Sequence, residues 1–120
     1  MTITTKRVYD PPSRADGYRV LIDRLWPRGL SKEKAAIDEW ARELAPSDEL
    51  RRWFGHRPER FAEFKRRYTD ELRDRTEQIA ALRRRARDST VTILYGARDS
   101  EHSNAAVLAP IIRRGLPPRR

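Results

Sequence analysis

Runs of β-branched and apolar residues predict three strands in this chain. They cover residues 2–9, 18–23 and 90–95; the second has a continuously apolar centre and the third is the most apolar. β-Branched residues favour extended backbone, and an unbroken apolar centre is typical of a strand covered on both faces. Asp10 and the two prolines after it end the first run. These strands are therefore expected in the interior of a layered fold.

Helical spacing of apolar residues predicts helices between the second and third strands. A short helix or turn is expected after Ser31, because a serine side chain can cap a helix N-terminus. The apolar residues within 37–45 recur at helical spacing, which predicts one apolar helix face there. Residues 48–54 have acids in their first turn, with Ser47 as the predicted N-cap and Gly55 as a natural C-cap.

The longest helical pattern begins at Pro58, a residue that the first turn of a helix tolerates. Its apolar stripe changes phase near Asp74, which predicts two separate helices rather than one rod. A final helix is predicted over residues 101–114, where apolar residues supply a buried side. Ser100 or Asp99 is a candidate cap for this last helix.

Strands that alternate with helical segments predict an α/β fold with a small, mainly parallel three-stranded sheet and several covering helices. A length of 120 residues suits one domain with one core. We expect the domain to occupy residues 1–115, and residues 116–120 to form a frayed C-terminal tail.

The amino-acid composition excludes several classes of functional site. The chain contains no cysteine, which excludes disulfides, thiolate catalysis and cysteine-based metal sites. No apolar run reaches the about 18 residues of a membrane span, and no charged-then-apolar leader begins the chain, so we expect a cytoplasmic protein without a membrane partner. Hydrophobic and charged residues each make up 38% of the sequence, which predicts a compact core and solvated helix faces.

The formal net charge of +9 produces a positive field that attracts phosphates, on nucleic acid or on a small ligand, although arginines on solvated helix faces also account for it. Most of the basic residues are arginines, which suit bidentate contact with phosphate or carboxylate. Nucleic acid is therefore one possible partner, through the basic run Arg83, Arg84, Arg85 and Arg87. Such a run is more often a solvated helix face, and both interpretations stay open at this point.

Two polar clusters follow the second and third predicted strands. They are residues 23–29 and 96–104, and ligands of open α/β sheets bind beyond the carboxyl ends of the strands. If the two strands are parallel neighbours, the clusters meet and form a pocket for an anion with a flat or aromatic body. The predicted ligand-binding residues are Asp23, Arg24, Trp26, Arg28, Tyr95, Arg98, Asp99, His102 and Asn104.

Structural interpretations compete with this site. Asp23 and Arg24 are equally compatible with a buried ion pair that anchors a loop, and Trp26 is compatible with a core lid. His102 is the one predicted site residue that carries a proton near pH 7, yet a lone histidine is also compatible with a solvated position. Haem or metal binding through His102, His56 or a tyrosine lacks a recognisable ligand spacing. Zinc-peptidase, P-loop and dinucleotide motifs are absent from the sequence. The cofactor and the oligomeric state are not predicted.

The chain resembles the YeaO-like branch of the DUF488 family. The resemblance covers almost the whole chain and rests on residues 23–29, Trp40, 45–47, 50–54, 61–72 and 94–99, with His102 and Asn104. It implies a compact cytoplasmic bacterial α/β domain of uncharacterised function. The wider family often has a Cys-His-Arg run after the last strand, where this chain has Ser103, Asn104 and Ala105. A thiol mechanism is therefore in doubt here, since Ser103 has no evident base partner.

Overall fold

The computed structural model describes residues 1–119 and contains one parallel sheet of four strands in the order β1-β4-β2-β3. Every strand pairing in it is parallel. The α/β class and the parallel sheet are thus confirmed, but the prediction of three strands is wrong. The strands are β1 (Thr2–Arg7), β2 (Tyr18–Leu21), β3 (Glu39–Trp40) and β4 (Thr90–Tyr95).

The additional strand, β3, lies in the segment for which a helix face was predicted. A 3₁₀ turn over Arg42–Leu44 follows it. The apolar residues of this segment divide between two clusters: Ile37 and Trp40 pack on one face of the sheet, while Ala41 and Leu44 belong to the main core. Helical spacing was misleading because it assumes that all four side chains face one way. An extended segment at the sheet edge instead distributes them to both sides.

Five α-helices surround the sheet: α1 (Lys32–Ala35), α2 (Asp48–Phe54), α3 (Phe61–Leu72), α4 (Thr76–Asp88) and α5 (Asn104–Arg114). The predicted caps of α2, Ser47 and Gly55, are confirmed. The predicted break between α3 and α4 is also confirmed. The last helix begins at Asn104 rather than at residue 101, and its N-cap is Ser103. None of the helices in residues 1–119 is long and apolar enough to cross a membrane.

The main core lies between one face of the sheet and helices α2 to α5. A smaller cluster covers the other face, where Val8, Leu21 and Leu94 pack with α1 and two tryptophans. Residues 116–119 have neither helix nor strand, and Arg120 of the predicted tail lies outside the described residues. Because β2 and β4 are parallel neighbours, their carboxyl ends lie side by side.

A buried polar network ties the amino end of β2 to the sheet. The Asp16 carboxylate is 3.1 Å from Lys6 Nζ and 2.5 Å from Arg19 Nη1, and only 8% of Asp16 is exposed. Burial alone raises the pKa of Asp16, but the Ser13 N–H, Lys6 and Arg19 outweigh it and hold the pKa below its usual value. Thr92 Oγ1 donates to the Asp16 carbonyl at 2.6 Å. The charge of this aspartate is therefore balanced within the protein.

Candidate functional site

A cavity of about 270 Å³ opens at the carboxyl ends of β2 and β4. The Ile22 N–H donates to the Leu94 carbonyl at 3.1 Å. Beyond this hydrogen bond, the segments that follow β2 and β4 separate. The space between them is enclosed by the segment after β2, the segment after β4, and residues of α2 and α3. This is the edge of the sheet at which the sequence predicted a pocket.

Asp23 lies in the wall of the cavity and is held from three directions. Asn104 Nδ2 donates to its Oδ1 at 3.0 Å, and the Gly96 N–H donates to its Oδ2 at 2.9 Å. Trp40 Nε1 donates to the Asp23 carbonyl at 2.7 Å. A Cβ on Gly96, the residue after β4, would lie 2.9 Å from Asp23 Oδ2, so a side chain here would require the carboxylate to shift. The carboxylate is therefore fixed by β3, β4 and α5.

The hydrogen-bond donors around Asp23 are neutral. Within residues 1–119 its carboxylate forms no ion pair, and Arg24 instead donates to the Pro46 carbonyl at 3.3 Å. The predicted alternative of an Asp23–Arg24 ion pair is therefore wrong. Burial raises the pKa of Asp23, and the bonds from Asn104 and Gly96 offset this only in part. The positive field of His56 acts in the same lowering direction.

Three arginines line the cavity: Arg24, Arg28 and Arg51. The first and third share one carboxylate, because Asp48 Oδ1 is 3.6 Å from Arg24 Nε and 3.5 Å from Arg51 Nη2. Arg51 Nε is the one buried side-chain polar atom in residues 1–119 that lacks a hydrogen-bond partner. The Arg28 side chain is exposed and makes no hydrogen bond or ion pair within the same residues. Guanidinium donors thus outnumber the acceptors around them.

Aromatic side chains supply the apolar part of the wall. Trp26 Nε1 donates to the Leu30 carbonyl at 2.6 Å, and its ring meets Trp40 edge-on at 5.4 Å between centroids. Phe54 of α2 and Phe64 of α3 are stacked at 4.3 Å. These contacts fix the rings in place, so the cavity has rigid apolar surfaces beside its arginines. Trp26 therefore lines the cavity and also packs as part of the smaller cluster.

His102 lines the cavity with one ring nitrogen already engaged. Its Nδ1 is 2.7 Å from Asp99 Oδ2, and its ring meets Phe61 edge-on at 5.1 Å. The pKa of Asp99 lies below its usual value chiefly because of the side-chain bond to His102. Ser103, 2% exposed, accepts from the Ala106 N–H at 3.2 Å and donates to the Ser100 carbonyl at 3.3 Å. The serine hydroxyl therefore acts as a helix cap.

The structure brings six of the nine predicted site residues to the cavity and leaves three outside. Tyr95 is 3% exposed and packs in the main core, whereas Arg98 and Asp99 are exposed beyond the cavity wall. The six that line the cavity are Asp23, Arg24, Trp26, Arg28, His102 and Asn104.

Sequence reasoning missed several residues that line the cavity. Their contribution depends on how α2 and α3 pack beside the sheet, and no local signal encodes that. His56 directly follows the α2 cap and has a left-handed backbone conformation, with φ of 56°. The local sequence does not predict this conformation either. The missed lining residues include Tyr9, Arg51, Phe54, His56 and Phe64. Within residues 1–119 no group of three or more His, Cys, Asp or Glu side chains has an arrangement that could hold a metal ion.

The fold and site define a small parallel α/β domain with an arginine- and aromatic-lined cavity at the carboxyl edge of its sheet. The chain belongs to the DUF488 family, and the model that matches it, over residues 2–119, is described as the inactive DUF488-N3 subclade. It is 42% identical to the uncharacterized protein YeaO of Escherichia coli over 113 residues, which cover 94% of this chain and 98% of YeaO. This confirms the resemblance to the YeaO-like branch.

A second group of relatives comes from mycobacteria. The uncharacterized protein Rv3073c of Mycobacterium tuberculosis is 43% identical over 110 residues, which cover 92% of each chain. A protein of Mycobacterium bovis has the same identity and coverage. No solved structure matches the chain.

Proposed function

We propose that this protein binds a small organic anion with a flat apolar body and does not transform it. The observation that carries the proposal is the exposed, unpaired Arg28 side chain beside the ordered ring of Trp26 in a cavity of about 270 Å³. A guanidinium with free donors favours a carboxylate or phosphate group, and an aromatic wall favours a flat apolar body. Small-molecule sites commonly combine these two features.

The charge balance of the cavity supports an anionic ligand. Arg24 and Arg51 share the single carboxylate of Asp48, and Arg28 has none. The unpartnered Arg51 Nε adds a buried donor in the same wall. An incoming anion adds acceptors to a region with surplus donors, and charge-assisted hydrogen bonds of this kind are among the strongest in proteins.

The occupied hydroxyl of Ser103 supports binding without covalent catalysis. A serine nucleophile needs a base within hydrogen-bond reach, whereas Ser103 makes its bonds to the backbone of Ser100 and Ala106. The description of the subclade as inactive agrees with this proposal. His102 then serves as a polar contact of fixed orientation, because Asp99 holds its Nδ1.

The nucleic-acid alternative has less support, since internal contacts use half of the basic run. Arg83 Nε donates to the Ile112 carbonyl at 3.0 Å, and the Arg85 guanidinium lies 3.7 Å from the centre of the Tyr18 ring. Arg84 and Arg87 are exposed, so nucleic-acid binding through these two residues stays a prediction. A titration with single-stranded and duplex oligonucleotides at two salt concentrations tests it, because phosphate contacts weaken steeply with salt.

The proposal is tested by isothermal titration calorimetry with two probes that differ in charge: 3-phenylpropanoate and its neutral analogue 3-phenylpropan-1-ol. We expect the anion to bind and the alcohol to bind at least about tenfold more weakly. Arg28→Ala should weaken the binding of 3-phenylpropanoate at least about tenfold. Arg84→Ala, which removes the same charge from an exposed site outside the cavity, should change the affinity by less than about twofold. Equal effects of the two substitutions, or equal binding of both probes, would contradict the proposal.

A further inference from the structure

The Asp23 carboxylate is the feature of the cavity that an anionic ligand does not explain. It is partly buried, lines the same wall as the arginines, and within residues 1–119 it forms no ion pair. A negative side chain disfavours an anion placed beside it. Hydrogen bonds from the Gly96 N–H and Asn104 Nδ2 nevertheless hold the carboxylate in place.

Hydrogen bonding leaves acceptor capacity on Asp23. Asn104 Nδ2 takes one position on Oδ1, and the Gly96 N–H takes one position on Oδ2. A carboxylate offers about four acceptor positions, so about two remain. Both donors are neutral, and Asp23 lines the cavity. The remaining acceptor positions are therefore available to a donor from the cavity.

Binding a cation would offset the cost of holding this charge away from water. Burial already raises the pKa of Asp23, which means that its surroundings disfavour the ionised form. The field of His56 acts on Asp23 without an ion pair, and a ligand ammonium in contact with the carboxylate would form one. Arg28 is exposed, whereas Asp23 is partly buried. Asp23 is hydrogen-bonded to Gly96, which follows β4, and to Asn104 at the start of α5. The cavity therefore has a positive side chain in an exposed position and a negative one in a more buried position.

We propose that the ligand is a zwitterion of the α-amino acid class with an apolar side chain, whose ammonium binds Asp23 and whose carboxylate binds Arg28. This inference rests on the proposed function and adds the positive end of the ligand. The aromatic wall formed by Trp26, Phe54 and Phe64 contacts the apolar side chain of the ligand. No bond of the ligand is made or broken.

The test compares ligands that share one carbon skeleton. L-Phenylalanine is 3-phenylpropanoate with an added ammonium, and N-acetyl-L-phenylalanine keeps the carboxylate but neutralises the amine. In calorimetric titrations of the wild type, L-phenylalanine should bind at least about tenfold more tightly than either of the other two. This comparison needs no variant and therefore does not depend on the folding of a mutant.

Substitution of the carboxylate locates the preference. Asp23→Asn should bring the affinities for L-phenylalanine and 3-phenylpropanoate within about twofold of each other, mainly through loss of L-phenylalanine binding. Asp88→Asn removes the same charge from an exposed position outside the cavity and should keep the wild-type preference. Circular dichroism shows whether each variant is folded before titration.

The outcomes separate this inference from the proposed function. If the wild type binds 3-phenylpropanoate as tightly as L-phenylalanine, the inference is overturned while the proposal of anion binding stands. A preference that survives Asp23→Asn in a folded variant also overturns it. If neither probe binds, both proposals are overturned. If Arg28→Ala leaves L-phenylalanine affinity unchanged, the anion site at Arg28 is wrong.

Discussion

Asp16 and Asp23 lie at opposite ends of strand β2 and have contrasting surroundings. Asp16 precedes the strand and is paired with Lys6 and Arg19. Asp23 follows the strand and receives hydrogen bonds from the neutral donors of Asn104 and Gly96. The pKa values move in opposite directions: that of Asp16 is lowered and that of Asp23 is raised.

The difference supports the proposal that Asp16 stabilises the fold whereas Asp23 binds a ligand. At the amino end of β2 the protein supplies the cations itself, and the network closes without a cavity. At the carboxyl end, neutral donors hold the Asp23 carboxylate beside a cavity, and within residues 1–119 it forms no ion pair. Ligand sites of parallel sheets lie at the carboxyl ends of strands, so Asp23 is at the expected end.

The largest expected effect is the loss of stability in Asp16→Ala. Removal of one partner from a buried ion pair leaves Arg19, 4% exposed, without its carboxylate and costs about 3–5 kcal/mol of unfolding free energy. Asp23→Ala leaves no cation behind and should cost about 1–3 kcal/mol, the cost of unsatisfied neutral donors. Urea unfolding followed by circular dichroism measures both. A loss for Asp23→Ala as large as that for Asp16→Ala would break the comparison.

A glycine beside each aspartate gives the next largest contrast. A Cβ on Gly17 would lie 2.3 Å from the Thr90 carbonyl oxygen, at a φ of 63° that disfavours other residues. Because that oxygen belongs to the backbone of the first residue of β4, Gly17→Ala should cost about 3 kcal/mol. The atom that a Cβ on Gly96 would meet is a side-chain oxygen of Asp23, which can rotate, so Gly96→Ala should cost about 1 kcal/mol. Urea unfolding of the two variants gives the order, and a reversed order would contradict this explanation.

Ser103 tests whether the cavity edge contains a nucleophile or a helix cap. Loss of the capping bond to the Ala106 N–H in Ser103→Ala should cost about 1 kcal/mol. The affinity for 3-phenylpropanoate should change by less than about twofold, because the hydroxyl is occupied by the backbone. Ser13→Ala, at the exposed capping box before Asp16, is the matched control and should cost about 0.5 kcal/mol. A tenfold loss of probe affinity in Ser103→Ala would assign the hydroxyl to the ligand instead.

The part of the fold that was predictable from sequence is the part with strong local signals. Helix α2 has an N-cap serine, acids in its first turn and a C-cap glycine, and it was located correctly. Strand β4 is a β-branched and apolar run that ends at glycine, and it was also located correctly. Strand β3 has only the residues Glu39 and Trp40, which is too short to establish a period of two. Its pairing with β2 is a tertiary effect.

The sequence predicted only those site residues whose positions follow from the order and direction of the strands. Two polar clusters after parallel neighbouring strands must meet, and Arg28, His102 and Asn104 accordingly line one cavity. Tyr95 lies outside because alternate residues of a strand face opposite sides of the sheet, and its side faces the main core. Arg51 was missed because its place depends on the packing of α2, which no local pattern encodes.

The smallest expected effect is also the most specific, since Asp16 and Asp23 should give pH dependences of opposite sign. The folded pKa of Asp16 is below the ordinary value of 3.8, so its stabilisation is present above that value and is lost as the pH falls through the folded pKa. The folded pKa of Asp23 is raised, so its contribution is present below 3.8 and is lost as the pH rises through the folded pKa.

Urea unfolding of the wild type, Asp16→Asn and Asp23→Asn between about pH 3 and about pH 7 measures these signs. The stability advantage of the wild type over Asp16→Asn should grow with rising pH, and its advantage over Asp23→Asn should shrink. Saturating L-phenylalanine should reverse the second trend, because an ammonium beside Asp23 favours the ionised carboxylate and lowers its pKa. If both differences change with the same sign in the absence of ligand, then the two ends of β2 do not have the opposite pKa shifts on which this comparison depends.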